Sequence, residues 1–191
     1  MPDSTHTDGR RQRTVDSRAR IIQAMLDLVQ EGVMIPNAEQ VAERAEVGLR
    51  SVFRHFKDMD SLFQELTVLI EADARATFLR PISGETVEAR VADLIQRRCS
   101  LYERISPFQL ASIAHWAKSE FLRQDAQRQA LLLRELLKQV LTPEIIVNFE
   151  RFEALDALLS FSTWNRLRSQ QGLSFDEAKR VIEATAMLLI E

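Results

Sequence analysis

The chain has 191 residues, 46% of them hydrophobic and 28% charged, enough to bury a sizeable core in one large or two small domains. No run approaches the roughly 18–20 consecutive apolar residues of a membrane span, and the first residues lack the apolar stretch of a secretory signal, so the expected location is the cytoplasm. The formal charge of −3 argues, as a total, against a nucleic-acid partner, and the single cysteine, Cys99, leaves no intramolecular disulfide and no cysteine-based metal cluster to expect.

Location of charge matters more than its sum. Residues 1–16 are almost entirely polar and read as a flexible basic arm. Over residues 10 to 20, Arg10, Arg11, Arg13, Arg18 and Arg20 face only Asp16. Ile21, Met25, Leu28 and Val29 then recur at helical spacing, with Gly32 placed to end that helix. Asn37 opens the next one, and Gln40 completes a capping-box pattern. Val41, Ala42 and Ala45 give it a narrow apolar face.

A turn, Glu46-Val47-Gly48, leads to a short helix over Leu49 to His55. Its periodicity sets Val52, Phe53 and Phe56 on one side and Arg50, Ser51, Arg54 and His55 on the other. Residues 48 to 57 hold Arg50, Arg54 and Lys57 and no acid. Apolar residues would anchor the helix, while the outward donors suit phosphate oxygens and base edges in a major groove. Taken alone, the basic cluster would read as a solvated face.

Asp58 caps a longer helix marked by Leu62, Phe63, Leu66, Leu69 and Ile70, which Pro81 and Gly84 interrupt. A helix with Val87, Val91, Leu94 and Ile95 follows. Further helix starts are expected at Ser106-Pro107-Phe108-Gln109, at Thr142-Pro143-Glu144 and at Ser174-Phe175-Asp176-Glu177. The fold class is all-α, with about nine helices: a three-helix DNA-binding domain over 17–63 and a helical domain over 64–191. The five glycines form neither a phosphate-cradling loop nor a nucleophile elbow, so no catalytic constellation or cofactor site is expected. No second ligand lies one turn from His115, which leaves no metal site to name.

The stretch VAERAEVGLRSVFRHFKDMDSLF, preceded by ARIIQAMLDLVQEG, resembles the amino-terminal domain of the tetracycline-repressor (TetR) family of bacterial transcription regulators. Val41, Ala42, Ala45, Val47, Phe53, His55, Phe56, Asp60 and Leu62 carry the likeness, over about residues 17 to 66. Four positions depart from the family's pattern. Glu46 replaces the turn glycine, at a cost of about 1 kcal/mol if the backbone there is left-handed. Gly48 stands for a capping serine or threonine, Phe53 for tyrosine, and Met59 for lysine.

The helix-turn-helix reading makes Asn37, Gly48, Leu49, Arg50, Ser51, Phe53, Arg54, His55 and Lys57 the candidate DNA-binding residues. Arg50 would bond guanine, and Leu49 would meet a thymine methyl or pack inward. Ser51, Arg54, His55 and Lys57 would hold phosphates, His55 and Lys57 by resemblance; for Arg54 a surface ion pair is the alternative. Phe53 and Phe56 read better as core.

The resemblance further implies a homodimer on a palindromic operator in double-stranded DNA, repression released by a small effector, and a bacterial cytoplasmic protein at the nucleoid. Dimer contacts would fall on the last two long helices, 144 to 170 and 175 to 190, at Leu155, Leu158, Leu159, Val181, Ile182, Thr185 and Leu189. A small, largely apolar effector would meet some of Cys99, Tyr102, Phe108, His115, Trp116, Trp164 and Asn165, each of which ordinary packing also explains. Control by a protein partner, or by no ligand, is the alternative; a small helical enzyme is the reading of another class.

Overall fold

The computed structural model describes the backbone of residues 5–191 and, within it, the side chains from residue 15 onward except Asp73. All regular structure among these residues is helical. In chain order the helices are α1 (Thr5–Gln30), α2 (Ala38–Arg44), α3 (Leu49–His55), α4 (Met59–Leu79) and α5 (Val87–His115). After a 3-10 turn at Trp116–Lys118 come α6 (Glu120–Lys138), α7 (Pro143–Val147), α8 (Phe149–Leu158), α9 (Phe161–Asn165), a π turn at Arg166–Gln170, and α10 (Phe175–Ile190).

The expected arm is helical from Thr5 onward, while residues 1–4 lie outside the described residues. Nothing but Gly9 in that stretch opposes helix, and a packed second half at Ile21, Met25 and Val29 supplies the nucleus from which turns propagate.

Two compact units result. The first takes the chain to Glu71 and adds Pro107–Gln124. Its core joins Ile21, Met25, Leu28 and Val29 of α1, Val41 and Ala42 of α2, and Val52 and Phe56 at α3 to Leu62, Phe63 and Leu66 of α4. Phe108, Ala111 and Leu122 close it, so a segment expected in the second domain contributes core to the first unit. Each fully buried large apolar side chain there contributes about 1.5–3 kcal/mol.

The second unit covers Ala72–Ser106 and Asp125–Glu191. Val91, Leu94, Ile95 and Tyr102 of α5 are buried, as are Leu137, Phe152, Leu155, Trp164, Ala178 and Ile182. Arg97 ties off the end of α4: its guanidinium donates to the carbonyls of Arg80 and Pro81 and pairs with Asp93 at 2.6 Å. Asp93 in turn accepts from the Ser83 N–H at 2.9 Å.

Two expectations change. Pro107 does not start a helix; α5 runs through it to His115. Beside it the Ser106 hydroxyl donates to the Tyr102 carbonyl at 2.7 Å, the i−4 bond that serine makes within helices. The single helix expected over 144 to 170 is instead divided at Asn148 and again at Leu159–Ser160. Asn148 and Ser160 each accept a backbone N–H three residues on, from Arg151 at 3.1 Å and Thr163 at 3.3 Å, so the side chains that compete best with helix start new ones.

A candidate nucleic-acid interface on the first unit

The segment α2–turn–α3 is set by hydrogen bonds that the sequence specifies. Asn37 Oδ1 accepts from the Gln40 N–H and Gln40 Oε1 from the Asn37 N–H, both at 2.9 Å, a complete capping box. At the other end of α2, the Val47 N–H donates to Ala42 O at 3.0 Å and the Glu46 N–H to Glu43 O at 3.1 Å. These are the two bonds of a Schellman motif, and they put Glu46 at φ 52°. Among the described non-glycine residues only Glu46 has positive φ, so the condition attached to its replacement of the family's turn glycine is met.

α3 is held by Val52 and Phe56, 2% and 4% exposed. The Arg18 guanidinium lies over the Phe56 ring, 5.2 Å from its centroid, and bonds Glu65 at 2.6 Å, so this arginine of the basic cluster is already engaged. Phe53 departs from expectation: it is 51% exposed and shares the outward side with Leu49, 38% exposed. One step along a helix is a hundred degrees, and the i, i+4 pair Val52 and Phe56 occupies the inward row, which turns Phe53 onto the row of Leu49.

Arg50, Arg54 and Lys57 are exposed, and among the described residues none has an ion-pair partner. The surface ion pair weighed as the alternative for Arg54 is therefore not formed among the described residues. Arg44, by contrast, is committed to Glu31 through two bonds of 2.8 and 2.6 Å. Ser51 is half-buried, and its N–H donates to Gly48 O at 2.7 Å. Gly48 is the N-cap of α3 and offers no side-chain cap. His55 is half-buried, with Nε2 turned inward and lacking a partner among the described residues. Burial, and then the charges of Arg54 and Arg18, holds its pKa below the ordinary histidine value. Arg10, Arg11 and Arg13 have side chains outside the described residues.

The seven effector candidates do not share one unit. Phe108, His115 and Trp116 belong to the first; Phe108 is core there, and His115 stacks on Phe63 with ring centroids 4.8 Å apart. Cys99, Tyr102, Trp164 and Asn165 belong to the second. The Tyr102 hydroxyl donates to Leu159 O at 3.0 Å, Asn165 Oδ1 accepts from Ser169 at 2.8 Å, and burial pushes the Cys99 thiol up to about 12. The second unit also carries a cavity of about 280 Å³ lined by Ala76, Thr77, Arg80, Gln96, Arg97 and Ser100, none of them expected. Its lining falls at i, i+1 and i+4 at the end of α4 and again on α5, but the residues are small or polar, so an apolar-periodicity reading passes over them.

Of the expected dimer residues, Leu155, Leu159 and Ile182 are buried within their own chain. Leu158 and Leu189 are half-buried, and Val181 and Thr185 are exposed. Ala184 and Leu188 extend the latter pair into an exposed stripe at i, i+3, i+4 and i+7 of α10.

No protein-family model matches the sequence, and no curated protein matches it. Solved structures do. A Rhodococcus sp. protein assigned to the TetR family of transcriptional regulators superposes with a TM-score of 0.63 at 18% identity, over 92% of this chain and 99% of its own. The TetR family transcriptional regulator PfmR from Thermus thermophilus gives 0.59 at 14% identity, over 95% of each chain. Over nearly its whole length, then, the chain has the all-helical fold of TetR-family transcriptional regulators.

Proposed function

We propose that the protein is a dimeric, sequence-specific DNA-binding regulator of transcription, a repressor that sits on a palindromic operator in the bacterial cytoplasm and is released by a small-molecule effector. The observation that carries the DNA reading is the outward side of α3, where Arg50 and Arg54 stand exposed with Lys57 just beyond, unpaired among the described residues. Uncompensated cations on a short helix match the phosphates flanking a major groove. Arg50 is the base reader, Arg54 and Lys57 hold phosphates, and Ser51 and His55 support them. Asn37 and Gly48 orient the helix pair.

The reading includes a two-fold dimer, since two recognition helices one or more duplex turns apart read a palindrome together. The stripe Val181, Ala184, Thr185 and Leu188 on α10, with exposed Ala154 and Ala157 on α8, is the surface we assign to it. The effector is assigned to the second unit, by resemblance to the family.

The test is selection of bound fragments from a genomic library by the purified protein, then titration of the best fragment at two salt concentrations. A palindromic site bound at least about a thousandfold more tightly than random duplex supports the proposal; weak binding without sequence preference refutes it. On that site, Arg50→Ala costs about 1–3 kcal/mol and relaxes specificity, whereas Lys57→Ala weakens all sequences alike and lowers the salt slope by about one.

A further inference from the structure

We propose that Leu49 and Phe53 form a methyl-reading pair on α3, so that each half-site carries thymine methyls beside the guanine read by Arg50. The inference rests on the DNA reading above and adds what kind of sequence is read. Neither side chain belongs to the core of the first unit, because Val52 and Phe56 fill the inward row while Leu49 and Phe53 remain 38% and 51% exposed. Single exposed apolar residues are ordinary. Here two of them occupy one row at i and i+4, each followed in sequence by an arginine, on a helix with no acidic residue.

The cations bring this surface to DNA, and the apolar pair then has to meet something in the groove. Phe53 carries no hydroxyl and cannot donate to a phosphate oxygen. In the major groove the apolar group on offer is the thymine C5-methyl, or the equivalent methyl of 5-methylcytosine. Two side chains four residues apart are separated by about 6 Å along the helix, and successive bases by about 3.4 Å, so the two methyls lie within about two base-pair steps of each other.

The experiment selects binders to the full chain from a random-sequence duplex library, then resynthesises the consensus with deoxyuridine replacing each thymine in turn. Only a methyl group is removed each time. The expected result is a loss of about fourfold in affinity at one or two thymines of each half-site, the worth of one methyl-sized group, and about none elsewhere. Phe53→Ala should abolish the penalty at one of these positions and Leu49→Ala at the other. If all methyl removals on the wild-type protein are neutral, or if the variants lose affinity equally on thymine and uracil duplexes, the inference is overturned. Failure to enrich any sequence at all would instead overturn the DNA reading beneath it.

Discussion

Glu46→Gly should stabilise the protein. Three helix ends among the described residues use a residue of positive φ: Gly32 at 91°, Gly172 at 69° and Glu46 at 52°. The end of α1 repeats the bonds of α2, with the Val33 N–H on Leu28 O at 2.9 Å and the Gly32 N–H on Val29 O at 3.0 Å, and there the strained position is a glycine. At Glu46 the Cβ meets the following carbonyl, at roughly 1–2 kcal/mol. Glycine removes that strain but adds freedom to the unfolded chain, worth roughly 0.5–1 kcal/mol in the opposite direction. The net gain is about 0.5–1 kcal/mol, or about 1–4 °C in Tm for a chain of this length. Glu46→Ala is the control, because it deletes the exposed carboxylate and keeps the strain. Urea and thermal unfolding of the three proteins decide it. Equal stabilisation by alanine and glycine would mean that the charge, not the backbone, is what costs, and no gain from glycine would refute the strain argument outright.

Other outcomes follow from the same structure. Gly48→Ser gives α3 the cap it lacks; an added Cβ there meets nothing within 4 Å, so we expect a gain of a few tenths of a kcal/mol by urea titration, and a loss would mean the hydroxyl cannot reach the helix amides. Arg97→Ala leaves Asp93 and the carbonyls closing α4 without their partner, and should cost about 3 kcal/mol; a cost below about 1 kcal/mol would show that the clamp is dispensable. Burial lowers the pKa of both His55 and His115, the latter against the opposing charge of Asp60. The unfolded chain therefore binds protons first as pH falls through about 6.5, and stability present above that pH is lost progressively below it. Unfolding at pH 7.5 and 5.5 should show the drop in the wild type and a smaller one in His55→Gln/His115→Gln; an unchanged drop would assign it to other groups.

Several helix starts in both units were legible in the sequence because their signals are local. The Asn37 and Gln40 caps, the Asp58 cap, accepting from the Ser61 N–H at 2.8 Å, and the Ser174 and Glu177 box each need only a neighbouring turn. The all-α class rests likewise on periodicity, and the substitution at Glu46 marked the turn where a left-handed backbone would cost, while the structure supplied the φ itself. Tertiary structure decided what depends on which row of a helix finds a partner. Phe53 reads as core by hydrophobicity, yet Val52 and Phe56 fill the space and leave it outside. Arg18 reads as a free cation, yet Glu65 and the Phe56 ring engage it. Pro107 reads as a helix start, yet α5 continues through it to place Phe108 and Ala111 in the core of the first unit, because burying those side chains outweighs the one backbone bond that proline removes.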